Sequence, residues 1–208
     1  MIIDAISDLH GEFPELKGGD LLLLGGDYTR TGKLKEWMHF FAWLKCQPYT
    51  HKVMIAGNHD EFLLKNEDDA FISKDFIYLR DNEVTIEGLR IWGSPHSSWF
   101  PQVNLKCTTF MMEDRDLECF FNEIPEDIDI LLTHTPPYGY LDKNIYGKKC
   151  GSKALASQYP RIKPKIHVFG HIHEEGGGES KIEDTRLYNI SFVDENYEPT
   201  KSITPIHF

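Results

Sequence analysis

Residues with metal-binding side chains occur in five short segments of the 208-residue chain. Each segment directly follows an apolar, strand-like run, where ligands collect in open α/β sheets. The segments are Asp8-Leu9-His10, Gly26-Asp27, Gly57-Asn58-His59-Asp60, His134 and Gly170-His171-Ile172-His173. Carboxylate, imidazole and amide oxygen all bind first-row divalent cations, and the segments contain no cysteine. These residue types predict a site for divalent metal ions.

The spacing of two pairs suggests how cations would be held. Asp8 and His10 are two residues apart, as are His171 and His173, so an extended backbone directs both side chains of a pair to one side. Asp27 could bridge two cations and offset their mutual repulsion. Two cations about 3.5–4 Å apart can hold a hydroxide between them and polarise phosphoryl oxygens. We therefore expect hydrolysis of a phosphate ester by a metal-bridging hydroxide.

A general acid is the second requirement of this chemistry, because the leaving oxygen needs a proton or a stabilising donor. His59 follows the candidate ligand Asn58 directly and is placed for that role. Asp60 could hold the imidazole of His59 in one tautomer. The sequence thus predicts His59 and Asp60 as catalytic residues.

Taken in order, the five segments resemble the signature of the calcineurin-like metallophosphoesterase superfamily over residues 8 to 173. The resemblance implies an α/β fold, a four-layer α/β/β/α sandwich with two mixed β-sheets. It also implies a dinuclear site with two divalent metal ions, for which we expect manganese, with iron or zinc as alternatives. His59 is then expected to act on the leaving group. The implied ligands are Asp8, His10 and His173 for one metal, Asn58, His134 and His171 for the other, and Asp27 as the bridge.

A narrower resemblance is to the small metallophosphoesterase-domain proteins of animals, relatives that act on phosphodiesters, including cyclic nucleotides. It is carried by Ile55 to His59, Ile91 to Pro95, Ser98-Trp99-Phe100, Asp129 to Pro137 and Pro164 to Gly170. In some animal members a glycine replaces the histidine that matches His171. This chain has the histidine, so the resemblance implies an intact second metal site.

Three residues outside the signature are candidates for substrate binding. Arg30 could pair with phosphate, although a solvated loop arginine also fits its position. His96 lies in the 94–100 loop, which the narrower relatives place near the mouth of the active site. Trp99 and its neighbour Phe100 could stack on a base or could cap the core.

The candidate ligands need a framework of alternating strands and helices. Leu34, Trp37, Met38, Phe41 and Leu44 predict one helix with a single apolar face. Residues 83 to 93 predict a hairpin, and residues 181 to 208 are rich in strand formers. Further helices are predicted at 117–121 and 152–159. Strands are predicted at 2–6, 21–24, 53–56, 128–132 and 166–169, of which the last four are apolar runs typical of buried strands. This order predicts one metallophosphoesterase domain over residues 1–208, built on two sheets.

Composition and charge restrict the partners. The formal net charge of −11 argues against extended nucleic-acid binding but allows a small phosphate-ester substrate held by metal. We expect no signal peptide, no membrane span and a cytoplasmic location. The four cysteines are widely spaced and form no CxxC pair, so we expect reduced thiols rather than a zinc–thiolate site. The sequence indicates no oligomeric state.

Three functions compete. The short chain and the narrower resemblance favour a hydrolase of small phosphodiesters, with cyclic nucleotides among its candidate substrates. A phosphomonoesterase or protein phosphatase would use the same hydroxide and the same ligands. A non-catalytic protein-binding scaffold is the third hypothesis, which the complete set of candidate ligands argues against.

Overall fold

A computed structural model describes residues 1–65, 75–99 and 107–208 of the chain. Its strands form two large sheets and one two-stranded ribbon. In chain order the strands are β1 (Ile3–Ile6), β2 (Gly19–Leu24), β3 (Tyr49–Met54), β4 (Ile77–Tyr78), β5 (Asn82–Ile86), β6 (Leu89–Ser94), β7 (Ser97–Ser98), β8 (Met111–Met112), β9 (Ile130–Thr133), β10 (Ile166–Phe169), β11 (Glu179–Ile182), β12 (Thr185–Asn189) and β13 (Thr204–Ile206).

Both large sheets are mixed, as expected. The first has the order β13-β1-β2-β3-β4, in which β13 is antiparallel to β1 and the other pairs are parallel. The second has the order β11-β12-β10-β9-β6-β5, in which the four central strands are parallel and each edge strand is antiparallel to its neighbour. The predicted hairpin is the β5–β6 pair.

The two sheets pack face to face on alternating side chains. In β2, Leu21 and Leu23 contribute to the core between the sheets, whereas Leu22 and Leu24 contribute to a second core on the opposite face. This alternation follows from the two-residue repeat of a strand. The apolar run 21–24 is therefore buried on both faces, as the sequence predicted.

Helices cover both outer faces of the sheet pair. Helix α1 (Leu34–Cys46) buries Trp37, Phe40 and Leu44 in the core of the first sheet's outer face. The outer core of the second sheet joins Trp92 to residues of three later helices. The remaining helices are α2 (Glu61–Lys65), α3 (Asp114–Phe121), α4 (Lys153–Ala156), α5 (Tyr159–Ile162) and a 3₁₀ turn at His173–Glu175. The predicted four-layer α/β/β/α sandwich is confirmed.

Two details of the predicted helices differ. In α1, Leu34 and Met38 are 54% and 60% exposed, because the buried face is centred on Trp37, Phe40 and Leu44 and Met38 lies about 100° around the helix from Trp37. The helix predicted at 152–159 is two short helices. The second begins at Tyr159 with Pro160 in its first turn, a position where a missing amide hydrogen costs no helical hydrogen bond.

In the described ranges, no helix combines the length and the apolar character needed to cross a bilayer. Within the described ranges, none of the four cysteines forms a disulfide bond. Strand β13 pairs with β1, so residues 204–206 and 3–6 belong to the same sheet. A single domain over residues 1–208 stays a prediction.

Candidate metal centre

The candidate ligands lie in loops at the carboxyl ends of five parallel strands. Asp8 and His10 follow β1, Asp27 follows β2, and Asn58 follows β3. In the second sheet His134 follows β9, while His171 and His173 follow β10. Because the sheets face each other, these loops meet at one end of the sandwich.

Sharp backbone turns bring the side chains together. Asp8, His10, Asp27 and His171 have positive φ angles of 52°, 45°, 55° and 70°, a region that non-glycine residues rarely occupy. The expectation of an extended backbone at 8–10 is therefore wrong, because the chain turns immediately after β1. Such strained residues concentrate at functional sites.

Two glycines permit close approach of the acidic ligands. A Cβ atom at Gly57 would lie 2.2 Å from Oδ1 of Asp27, and one at Gly170 would lie 2.1 Å from Oδ2 of Asp8. Any larger residue at either position would displace a carboxylate. Gly57 and Gly170 therefore leave the space that the carboxylates of Asp27 and Asp8 occupy.

Asp8, His10 and His173 form the first donor group, whose ligand atoms all lie within 4.8 Å of one another. Nε2 of His10 lies 3.3 Å from Nε2 of His173. Nε2 of His173 lies 3.3 Å from Oδ1 of Asp8. The group matches the ligand set that the resemblance implied for one metal.

Asp27, His134 and His171 form the second donor group within the same distance limit. Nε2 of His134 lies 3.4 Å from Oδ2 of Asp27 and 3.2 Å from Nδ1 of His171. Oδ1 of Asn58 lies 3.0 Å from Nε2 of His134 and extends the group. The amide of Asn58 is turned this way because its Nδ2 donates to the carbonyl of Cys107 at 3.1 Å.

Asp27 lies between the two groups. Its Oδ2 is 3.4 Å from Nε2 of His134 in the second group and 3.8 Å from Nε2 of His10 in the first. Its Oδ1 accepts a hydrogen bond of 2.8 Å from the amide of His59. One carboxylate therefore reaches both groups, which is the placement required of a bridging ligand.

Both the spacing of the donor atoms and the positions of the hydrogens on the imidazole rings fit divalent cations. Two ligands bound to one ion at about 2.0–2.1 Å lie roughly 2.9–3.4 Å apart, and the imidazole pairs are spaced at 3.2 and 3.3 Å. Nδ1 of His134 pairs with the carbonyl of Gly25 at 2.9 Å, and Nδ1 of His173 pairs with the carbonyl of Asp194 at 3.1 Å. A carbonyl can only accept, so Nδ1 of each ring carries a hydrogen and Nε2 is the nitrogen left to bind a metal.

The electrostatics of the site also suit a cation. Burial lowers the pKa of His10 and His171 to about 3, so both imidazoles are neutral donors near pH 7. Burial acts to raise the pKa of Asp8, but the hydrogen bond and charge of His173 hold it below the usual carboxyl range. Burial acts to lower the pKa of His134, but the charge of Asp27 raises it to about 9. The carboxylate of Asp27 therefore favours a proton or a metal cation at Nε2 of His134.

His59 lies beside both donor groups, and it forms a third group of candidate metal ligands with His10 and Asp27. Its ring meets that of His10 edge to face, with centroids 4.7 Å apart. Its Nδ1 lies 2.9 Å from the carbonyl of Arg30, so Nδ1 carries a hydrogen and Nε2 is the nitrogen left for chemistry. The expectation that Asp60 orients this ring is wrong, because the carbonyl of Arg30 does so.

The carboxyl group of Asp60 instead accepts hydrogen bonds from three backbone amides of the loops that carry the candidate ligands. Its Oδ2 accepts from the amides of Asp27 at 2.7 Å and Gly57 at 2.9 Å, and its Oδ1 accepts from the amide of Tyr28 at 3.2 Å. Buried amides need acceptors, and this carboxyl is fully buried among them. Burial and then the charge of Asp27 raise the pKa of Asp60, while these amides act to lower it. Its contacts are those of a positioning residue.

The three candidates for substrate binding lie outside the donor groups. The guanidinium of Arg30 donates to the carbonyl of His10 at 2.8 Å and pairs with Glu12 at 3.1 Å. His96 is 2% exposed, and its Nε2 pairs with Asp81 at 2.8 Å, which accounts for this ring as part of the packing. Trp99 is 38% exposed. Phe100 lies outside the described residues.

Among the described residues, Ser7, Ser191, Asp194 and Tyr197 contact the candidate ligands and were missed by sequence reasoning. Ser7 and Ser191 both donate to Oδ2 of Asp8, Ser191 at 2.9 Å. Asp194 accepts from His173 through its carbonyl, and the ring of Tyr197 packs on His10. Apart from Ser7, these residues follow β12 and belong to no recognisable motif, so the sequence offered no local signal for them.

Comparison with known proteins agrees with this geometry. A family model described as calcineurin-like phosphoesterase matches residues 1–175. Metallophosphoesterase domain-containing protein 1 of Homo sapiens is 36% identical over 225 residues, which cover 93% of this chain and 67% of the human protein. A UPF0046 protein of Caenorhabditis elegans is 34% identical over 223 residues, which cover 95% of this chain and 77% of that protein.

A solved structure shares the fold. Phosphopantetheinyl hydrolase from Mycobacterium tuberculosis superposes with a TM-score of 0.65 at 16% identity, over 99% of this chain and 95% of that one. The resemblance seen in the sequence, including that to the animal metallophosphoesterase-domain proteins, is confirmed. With its groups of candidate metal ligands at the end of an α/β/β/α sandwich, the chain belongs to the calcineurin-like phosphoesterase family and is a metal-dependent phosphoesterase.

Proposed function

We propose that this protein is a dinuclear phosphodiesterase that hydrolyses small phosphodiesters, with cyclic nucleotides among its candidate substrates. The observation that carries the proposal is the position of Asp27, whose Oδ2 lies within 3.8 Å of a histidine nitrogen in each donor group. A single-ion site would not need a carboxylate between two complete sets of donors. The proposal goes beyond the family, which supports only metal-dependent phosphoester hydrolysis.

In this proposal each donor group holds one divalent cation. The first cation would be held by Asp8, His10 and His173, and the second by Asn58, His134 and His171. Asp27 would bind both cations. When bound, the cations supply ionised water at neutral pH and neutralise phosphoryl oxygens. Nitrogen and oxygen donors without thiolate suit manganese, iron or zinc, and we expect manganese.

His59 is proposed as the general acid. Its Nδ1 donates to the carbonyl of Arg30 at 2.9 Å, so the ring is fixed, and in the imidazolium form Nε2 carries the proton that is donated. Its backbone amide donates to the carboxylate of Asp27, so the hydrogen bond holds His59 next to the proposed bridging ligand. The proton passes from Nε2 to the oxygen of the departing alcohol, a step that general acids accelerate by about 10²–10⁴-fold.

The charge of the centre allows a diester substrate. The donor groups contain two carboxylates, Asp8 and Asp27, against two divalent cations, which leaves a net charge of about +2. One ionised water and one diester monoanion would neutralise it. Arg30 is paired with Glu12.

The decisive experiment compares matched substrates on protein of known metal content. The protein is loaded with Mn²⁺, its metal content is measured by plasma mass spectrometry, and it is assayed on bis-(p-nitrophenyl) phosphate, p-nitrophenyl phosphate and cyclic nucleotides. We expect two ions per chain and a higher kcat/KM on diesters. A dominant monoester rate would establish the phosphomonoesterase instead, and absence of both metal and turnover would favour the scaffold. An Asp27→Asn preparation, purified identically, controls for contaminating phosphatases.

A further inference from the structure

A turn at residues 194–198 lies against the first donor group. The carboxylate of Asp194 accepts from the amides of Asn196 at 2.9 Å and Glu198 at 3.0 Å. The amide of Asp194 donates to the carbonyl of Glu198, and that of Tyr197 donates to the carbonyl of Asp194, both at 2.9 Å. The turn is therefore fixed by its own hydrogen bonds. It lies outside residues 1–175, the part that the family model matches.

Two contacts connect this turn to the candidate ligands. The carbonyl of Asp194 accepts from Nδ1 of His173 at 3.1 Å. The ring of Tyr197 meets two imidazoles edge to face, that of His10 at 4.7 Å and that of His173 at 5.5 Å between centroids. One tyrosine ring thus packs against both histidines of the first donor group.

His10 depends on ring packing for its orientation. Nδ1 of His134 and of His173 each pair with a backbone carbonyl. Nδ1 of His10, in contrast, is buried without a hydrogen-bond partner among the described residues. The described rings that meet the imidazole of His10 nearly at right angles are those of His59 and Tyr197, both at 4.7 Å.

Tyr197 has a backbone conformation that disfavours a bulky side chain. Its φ is 64°, in the left-handed region that a bulky side chain occupies only at a cost. Glycine adopts this conformation freely, and asparagine does so more readily than tyrosine. A turn selected for backbone geometry alone would not need tyrosine here.

We propose that Tyr197 is a positioning residue of the metal centre, whose ring fixes the imidazoles of His10 and His173 as ligands of the first cation. This inference rests on the proposed function, because it presumes that the first donor group binds an ion. The tyrosine contacts the ligands and takes no part in bond breaking. Its effect should appear in metal affinity before any substrate is added.

The test is a Co²⁺ titration of metal-free protein, followed by visible absorption and by calorimetry. We expect wild type to bind two ions and Tyr197→Gly to bind one of them about 10–100-fold more weakly, as is typical when a support of a metal ligand is removed. Tyr197→Phe keeps the ring and should retain wild-type affinity. Glu183→Gly is the matched control, since Glu183 is exposed and also has a positive φ, 49°.

Each outcome decides the inference. Wild-type affinity for both ions in a folded Tyr197→Gly protein would overturn it, as would equal losses in Tyr197→Phe and Tyr197→Gly. Should the glycine variant fail to fold, Tyr197→Asn replaces it, and failure of both to fold would show a purely structural residue. Wild-type protein that binds no Co²⁺ would refute the proposed function itself, which separates that failure from the others.

Discussion

The carboxyl group of Asp60 accepts a hydrogen bond of 2.7 Å from the backbone amide of Asp27, the residue that lies between the two donor groups. Asp60→Ala leaves this amide and those of Gly57 and Tyr28 without that acceptor. We expect a loss of about 2–5 kcal/mol in the free energy of unfolding, since each buried unsatisfied group costs about 1–3 kcal/mol and the loops can relax. Urea unfolding measures the loss.

The control for Asp60→Ala is Asp184→Ala at an exposed carboxylate, which should change stability by less than about 0.5 kcal/mol. Metal content should also fall in Asp60→Ala, because the amide of Asp27 loses its anchor. Unchanged stability and metal content would show that the three amides find other partners.

Asp27→Asn should lower metal content and turnover together. The substitution keeps the size of the side chain but removes the charge that both donor groups approach. Plasma mass spectrometry and a diesterase assay on the same preparation measure both quantities. Asp20→Asn, at an exposed carboxylate that accepts from the amide of Ile2, should leave both unchanged. Full metal content in Asp27→Asn would argue against the bridge.

His59→Ala should keep both metals and lose about 10²–10⁴-fold in kcat on a diester with a poor leaving group. The loss should be smaller on bis-(p-nitrophenyl) phosphate, because p-nitrophenolate departs without a proton. That ratio between substrates separates a general acid from a residue that only shapes the site. His39→Ala, on the exposed side of α1, is the matched control. A wild-type kcat in His59→Ala on both substrates would exclude the assigned role.

His167 should make the fold less stable in acid. It is fully buried, and Nε2 lies 2.7 Å from Oγ1 of Thr133, which donates to the carbonyl of Thr135. Nε2 therefore carries the hydrogen, and Nδ1 accepts from the hydroxyl of Tyr159. Burial lowers the pKa of His167 to about 3 in the folded protein.

Since an unfolded histidine titrates near pH ~6.5, the unfolded state gains a proton first as the pH falls. Stability from the neutral ring is complete above about pH 6.5 and is lost as the pH falls towards 3. Between pH 7.5 and 5 the contribution is about 2 kcal/mol. Urea unfolding of chelator-treated wild type and His167→Gln should differ in pH slope by that amount. Identical slopes would mean that the pKa of His167 is the same in the folded and unfolded states.

The candidate ligands could be predicted from the sequence because each of them follows the end of a strand. Asp8, Asp27 and His134 each follow an apolar strand, and strand ends of one sheet meet at one edge. Residue type and strand order therefore predicted a metal site at the strand ends, and the grouping of its ligands was implied by the resemblance to the superfamily. The apolar run 21–24 likewise predicted a strand buried on both faces.

Other features depend on contacts that local sequence does not specify. Asp60 was expected to contact its neighbour His59. Its carboxyl instead accepts hydrogen bonds from the amides of Asp27 and Tyr28, in the loop that follows β2. Ser191 donates to Asp8 across 183 residues, and no local pattern predicts so distant a contact. The positive φ of Asp8 depends on the loop that packs around it, so an extended segment was the wrong expectation.

The hydrogen bond from Ser191 to Asp8 sets an order of events during synthesis. A domain folds as a unit and the ribosome elongates the chain at about 5–20 residues per second, so roughly 10–40 seconds separate the emergence of these two residues. During that interval Asp8 and His10 have emerged without Ser191, Asp194 and Tyr197. Tight capture of the first ion should therefore be a late step of biogenesis, after translation has passed the region that carries most of the ligands.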